Sequence, residues 1–296
     1  NLFANRFSLF LLLSKINVSI ESIFSRVAPI LVPQYPQPII ATFIFMKLVY
    51  KSIAMKILCI IPVFNEENRL EAFIKNLLLF KKKDENNIRF LFLNNNSTDN
   101  SLHLIKKNNQ ECISIKKNKG IGYSLLLGLR LSFSWNYDIL IHMAGNNKMS
   151  PFDLSQMINP ILKKDYDHVC GSRFYEKKNY STNPLFRKIS IKILSIFFSF
   201  LYKKKITDAT CGFRAFKVNI FKNKFIHFNK KKYYTYGYEY YSYGKILISK
   251  RIKSCEASVK MTYPKSGNYT KIKPIIDWYK IIISWVEALL DRKKIF

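Results

Sequence analysis

Acidic residues are scarce in this 296-residue chain: 19 Asp and Glu stand against 49 Lys and Arg, a formal net charge of +30 at pH 7. Cysteine is scarcer still. The five thiols (Cys59, Cys112, Cys170, Cys211 and Cys255) are dispersed and form no C-x-x-C pair, and the four His are scattered. A disulfide framework and a zinc-site spacing are thereby excluded, and a reducing compartment is the simplest reading. Nine Gly and ten Pro are too few for a collagen-like or low-complexity chain. No run reaches the ~18 uninterrupted apolar residues that mark a membrane span. The nearest, residues 191–202 and 275–290, are broken by Lys192 and by Asp277, Lys280 and Glu287, and read as amphipathic helices.

What is present is apolar: 48% hydrophobic and 15% aromatic residues can bury enough surface to offset the ordering entropy of a globular domain. The charge surplus suits polyanions, namely nucleic acid, an anionic membrane face or a polyphosphate substrate. Ten of the 49 cations are Arg, leaving 39 Lys, and that Lys excess comes with many Ile and Asn. Codon usage in an AT-rich genome accounts for it equally well, so no partner follows from charge alone. Residues 1–54 carry apolar patches and clustered prolines without a periodic pattern. They are expected to be an extension of doubtful function, not necessarily native, with the working domain over 55–296. Met55 opens Met-Lys-Ile-Leu-Cys-Ile-Ile-Pro, which runs straight into a strand.

From there short apolar runs alternate with helical stripes. Strands are expected at 56–61, 88–93, 112–115, 137–143 and 168–171. Helices are expected at 67–80, 99–107, 122–133 and 151–162, the last with proline in its first turn. That order implies an α/β fold, a mostly parallel sheet with helices on both faces. The second half is less regular, with a long helix at 185–201, a segment at 212–218, a helix at 237–250, a strand at 254–261 and an amphipathic C-terminal helix. In an open sheet of this kind ligands bind beyond the carboxyl ends of the strands. Here those ends carry residues 62–67, 94–99, 118–122, 144–148 and 171–173. Gly120-Ile121-Gly122 is no dinucleotide fingerprint, since Leu125 stands where a third glycine belongs; a P-loop and a nucleophile elbow are also absent.

Five segments occur in a telling order: Pro62-Val63-Phe64-Asn65-Glu66, Asn94-Asn95-Asn96-Ser97-Thr98-Asp99, Asn118-Lys119-Gly120-Ile121-Gly122, Gly171-Ser172-Arg173 and Asp208-Ala209-Thr210-Cys211-Gly212-Phe213-Arg214. Over about residues 56–265 the chain resembles family 2 glycosyltransferases of GT-A fold, in the dolichyl- or polyprenyl-phosphate mannose (or glucose) synthase branch. The resemblance implies a Rossmann-like GT-A sheet. It also implies inverting transfer of a hexose from a nucleotide-sugar to a lipid phosphate by a peripheral enzyme, on the cytoplasmic face of an anionic membrane, with no nucleic-acid partner. It puts Pro62, Phe64 and Glu66 around the base and ribose, with Asn94 and Asn95 at the positions of the family's acidic pair. Lys119, Gly120, Asn146, Arg173 and Arg187 are expected to complete the nucleotide-sugar site, and Asp208, the best-placed single carboxylate, and Arg214 to act in catalysis. Asn96 and Ser97 read as a turn and a helix cap.

One departure stands out. The family's D-x-D, which holds Mg²⁺ or Mn²⁺, aligns on Ala144-Gly145-Asn146, so a metal is possible by resemblance but its carboxylates are lost. Cations are expected to replace it, Arg173, Arg187 and Arg214 first and Lys119 and Lys148 behind them. No Glu-Asp pair follows Gly171 to serve as base, which favours a phosphate acceptor over a hydroxyl. A saccharide or lipid hydroxyl acceptor, a non-catalytic scaffold of the same fold and a basic nucleic-acid-binding protein remain the alternatives.

Overall fold

The computed structural model describes residues 55–83, 88–176, 185–221, 230–263, 271 and 276–291; the expected extension over 1–54 lies outside them. Seven strands form one sheet in the order β3-β2-β1-β4-β6-β5-β7. They are β1 (Ile57–Val63), β2 (Arg89–Asn94), β3 (Cys112–Ser114), β4 (Ile139–His142), β5 (His168–Ser172), β6 (Arg214–Lys217) and β7 (Ser254–Ser258). β1, β2, β3 and β4 pair in parallel, as do β5 and β7. β6 runs antiparallel to both β4 and β5 and joins the two parallel blocks.

Seven α-helices belong to the described residues: α1 (Glu67–Lys81), α2 (Ser101–Lys107), α3 (Ile121–Ser134), α4 (Leu154–Lys164), α5 (Leu185–Tyr202), α6 (Gly237–Ile248) and α7 (Ile276–Leu290). Strand alternation assigns them to faces. Ile57, Cys59, Ile61 and Val63 of β1 join Leu70, Phe73 and Leu77 of α1 and Met157 and Ile161 of α4 in one core. Leu58 and Ile60 join Leu125, Leu126 and Leu129 of α3 and Tyr238 and Tyr241 of α6 in the other. Both faces of the sheet are therefore covered, which is why its strands read as unbroken apolar runs.

The C-terminal helix is locked by aromatics. Trp285 of α7 is fully buried, its ring 4.5 Å from that of Phe198, 5.1 Å from Tyr202 and 5.2 Å from Tyr243, and its carbonyl accepts from Tyr202 Oη at 2.5 Å. Aromatic pairs of this kind add roughly 0.5–1.5 kcal/mol each beyond their buried area. The outer face of α5 is different: Leu185, Phe186, Ile193, Ile196 and Phe200 are exposed, Phe200 by 80%.

Candidate active site: a cationic cleft at the carboxyl ends of the strands

Chain reversals after β1, β2 and β4 are made by asparagines in the left-handed region, Asn65 (φ 49°), Asn96 (φ 60°) and Asn147 (φ 56°). Asn tolerates this conformation better than most residues because its short amide bonds locally. The first two loops are stitched together. Asn65 accepts from the Thr98 N–H at 2.8 Å, the Asn65 N–H donates to Ser97 Oγ at 3.1 Å, and the Glu66 N–H donates to Ser101 Oγ at 2.8 Å. Ser97 is thus a cross-link to β1's loop; the residue preceding α2 is Asn100, so the expected cap is not made by Ser97.

Beyond these strand ends opens a cleft of about 750 Å³. Pro62, Phe64, Glu66, Asn95, Gly120, Asn146 and Arg187, all expected in the nucleotide site, line it together with Ala144 and Lys148. Asn95 is pinned by donating to Asn118 Oδ1 at 3.0 Å and accepting from the Lys119 N–H at 3.2 Å. Asn94 is buried behind the lining, where its Oδ1 accepts from the Ser97 N–H at 3.1 Å. Lys119 stands outside the lining with Nζ 4.4 Å from the centre of the Tyr123 ring.

Gly120 and Gly122 also serve packing. Gly120 adopts φ +91°, and a Cβ on Gly122 would sit 2.0 Å from the Tyr233 carbonyl. Their bareness lets α3 dock on backbone 233–235, with the Gly122 N–H donating to the Thr235 carbonyl at 2.8 Å. That contact carries Thr235 and Tyr236 into the cleft wall.

Three further residues expected at the site are buried and lie outside the cleft lining. Asp208 is fully buried and accepts from Arg173 Nε at 2.6 Å and Nη2 at 2.7 Å; neither residue lines the cleft. Burial works against the Arg173 charge, but the Asp208 carboxylate, with Tyr263 and Cys211 adding, holds the guanidinium well above its usual pKa. Arg214 is fully buried too, with Nε donating to the Cys211 carbonyl at 3.1 Å and Nη1 to the Glu239 carbonyl. None of Asp208, Arg173 and Arg214 is among the residues that line the cleft. Glu239 stands against Arg214 at 3.9 Å, its pKa raised by burial against the opposing pull of that guanidinium.

The cations that do line the cleft are Arg69, Lys148, Arg187 and Lys271. Arg69 and Lys271 were invisible as site residues in the sequence: one sits within α1, the other far from any motif. Lys271 donates to Glu66 Oε1 at 2.8 Å and to the Asn65 carbonyl at 2.8 Å. Burial, then Arg187, bring Lys148 down to about 8, with Arg69 and Lys271 adding to the shift and Glu66 opposing it.

Mg²⁺ or Mn²⁺ does not fit the D-x-D position. Ala144 has no donor, and Asn146 Oδ1 accepts from the Lys148 N–H at 3.3 Å. Among the described residues Glu66 is the one carboxylate in the lining, and no group of three His, Cys, Asp or Glu could hold a metal ion. A hard divalent cation needs anionic oxygens, and this wall presents positive charge instead.

The chain is 27% identical over 193 residues to the UDP-N-acetylglucosamine–dolichyl-phosphate N-acetylglucosaminyltransferase of Methanococcus voltae, covering 60% of this chain and 75% of that protein. It is 24% identical over 172 residues to the dolichyl-phosphate beta-glucosyltransferase of Dictyostelium discoideum, covering 53% of this chain and 52% of that one. Among solved structures, glucosyl-3-phosphoglycerate synthase of Mycobacterium tuberculosis, with Mn²⁺, UDP and phosphoglyceric acid bound, superimposes with a TM-score of 0.59 at 12% identity, covering 81% of both chains. That likeness gives the fold, which is GT-A. The model of "Glycosyl transferase family 2" matches residues 58–225, more than half of the chain, and the chain belongs to that family of glycosyltransferases.

Proposed function

We propose that this enzyme moves a hexose from a nucleotide-sugar onto a polyprenyl phosphate, with inversion at the anomeric carbon, at the cytoplasmic face of a membrane. The observation that carries the reading is the make-up of the cleft lining among the described residues: four cations and a single carboxylate, Glu66, already held by Lys271. Attack by a hydroxyl needs a base to take its proton. A phosphate monoester needs none, because its second pKa near 6 leaves it dianionic for the most part at pH 7. A cleft so poor in bases and so rich in cations suits the phosphate.

In this reading Pro62, Phe64 and Asn95 hold the base and ribose through an apolar wall and a fixed amide. The acceptor phosphate oxygen forms a bond to the anomeric carbon as the bond from that carbon to the diphosphate breaks. The electron pair leaves on the nucleoside diphosphate, where cleft cations stabilise it. The Methanococcus and Dictyostelium relatives are both named for transfer to dolichyl phosphate, which supports a lipid-phosphate acceptor.

No helix among the described residues is long and apolar enough to cross a membrane. The exposed apolar face of α5 offers another route to lipid. Phe186 of α5 stacks at 6.2 Å on Trp278 of α7, extending the face to Tyr279, Ile282 and Ile283. Arg187, in the first turn of α5, lines the cleft, so this face begins beside the site. An apolar helix face with a basic flank suits an anionic bilayer surface.

The test is a panel of UDP-, GDP- and dTDP-sugars incubated with polyprenyl phosphate or with polyprenol. Lipid-linked sugar from polyprenyl phosphate alone is expected. Product from polyprenol but not from its phosphate would overturn the acceptor assignment.

A further inference from the structure

Resting on the nucleotide-sugar reading above, the geometry points to Lys148 and Arg187 as the groups that hold the donor's diphosphate, doing with fixed positive charge what a divalent metal would otherwise do. The diphosphate is the anionic part of a nucleotide-sugar, so charge alone sends it to the cationic wall. Of the four cations there, these two share a pedestal. The Lys148 ammonium lies 5.9 Å and the Arg187 guanidinium 5.3 Å from the centre of the Tyr263 ring.

Lys148 is presented by a loop fixed on three sides. Asn146 Oδ1 accepts from the Lys148 N–H at 3.3 Å, Asn147 Oδ1 accepts from Asn76 Nδ2 of α1 at 3.3 Å, and the Lys148 carbonyl accepts from the Thr262 N–H at 3.0 Å. A bridge between Met149 and Met261 continues the last contact. The amide at the old metal position therefore shapes the turn that delivers a lysine, where a carboxylate would have faced an ion. A cation held this way is already oriented before the leaving group develops its charge, which is the condition for strong electrostatic stabilisation.

Tyr263 is itself braced from behind. Its Oη accepts from Arg173 Nη1 at 2.6 Å, and Arg173 is gripped by Asp208. Asp208 and Arg173 are thus positioning residues: they set the ring against which the two cleft cations lie.

Calorimetry of the full chain with UDP and GDP, in excess chelator and separately with Mn²⁺, tests the inference. At least one nucleoside diphosphate is expected to bind with an affinity that chelator changes by less than about twofold. Lys148→Met and Arg187→Met should each weaken that binding by about tenfold or more, the size of a lost hydrogen bond to a charged group. The corresponding nucleoside, which lacks the diphosphate, should lose little. Lys148→Arg, which keeps the charge, should retain most of the affinity and guards against a variant that fails to fold. Nucleoside diphosphate binding that disappears in chelator and returns with Mn²⁺ would overturn the inference while leaving the proposed donor class intact. Binding of no nucleoside diphosphate under either condition would overturn the donor reading, and the inference with it.

Discussion

Replacing Asp208 with alanine strips a buried guanidinium of its counter-charge. Asp208 is 0% and Arg173 1% exposed, and the carboxylate accepts from Arg173 Nε, Nη2 and backbone N–H at 2.6, 2.7 and 3.2 Å, and from the Thr210 N–H at 3.1 Å. Breaking a buried pair by removing one partner costs about 3–5 kcal/mol, because the other charge stays desolvated and uncompensated. Domains are stable by only about 5–15 kcal/mol, so Asp208→Ala should lower the urea midpoint steeply at constant slope. The double variant Arg173→Met with Asp208→Leu removes both charges and should recover at least about 2 kcal/mol of the loss. Opposite behaviour refutes this account of Asp208. If Asp208→Ala kept its urea midpoint and its nucleoside diphosphate affinity yet lost turnover by orders of magnitude, the carboxylate would be acting in the chemistry itself.

Three further outcomes are expected. His142 and His168 are fully buried, each with an Nε2 that has no partner among the described residues; burial, with Arg214 adding, brings His142 down to about 3 and His168 well below 6.5. Charge facing them comes from Arg214, and on His168 from His142 as well. Since the unfolded state takes up the protons first, the stability that neutral burial supplies is present above pH 6.5 and lost as pH falls. By pH 5 the loss should reach about 2 kcal/mol per histidine, seen as a falling denaturation midpoint that His168→Phe partly abolishes. Gly122→Ala should destabilise the chain or displace residues 233–235, because its methyl meets the Tyr233 carbonyl at 2.0 Å; an unchanged melting midpoint with intact nucleotide affinity would contradict the docking described for α3. Phe186→Ser, Ile193→Ser and Phe200→Ser combined should leave stability intact and reduce partition to anionic vesicles by about a thousandfold, at roughly 1.5 kcal/mol per apolar side chain. Unchanged co-sedimentation would remove α5 as the membrane face.

Much of this fold was legible because its signals are local. Continuous apolar runs such as Leu58–Ile61 announced doubly covered strands, and the stripe through Leu70, Phe73, Ile74 and Leu77 announced α1. The direction of β6 was not legible: whether a strand runs parallel or antiparallel depends on where the chain enters the sheet, and its four residues carry no mark of that. At the site, the loops after β1, β2 and β4 could be found from their turn residues. Which face a motif residue takes could not. Asp208 and Arg214 sit in a sequence segment that suggested catalysis, yet packing turns both inward. Arg69 and Lys271 reach the cleft through helix orientation and chain path, which no local pattern encodes. Asn146 was readable as a lost carboxylate but not as the acceptor that folds the chain around Lys148.

The central claim is that a cation-lined glycosyltransferase cleft loads a lipid phosphate with sugar. Mass spectrometry of the lipid fraction tests it most directly, after incubation of the full chain with the nucleotide-sugar panel and polyprenyl phosphate in excess chelator. The account predicts a polyprenyl phosphate bearing one hexose, with an equal amount of nucleoside diphosphate released. A lipid fraction that stays unmodified with every donor, in chelator and with Mn²⁺ alike, would contradict it.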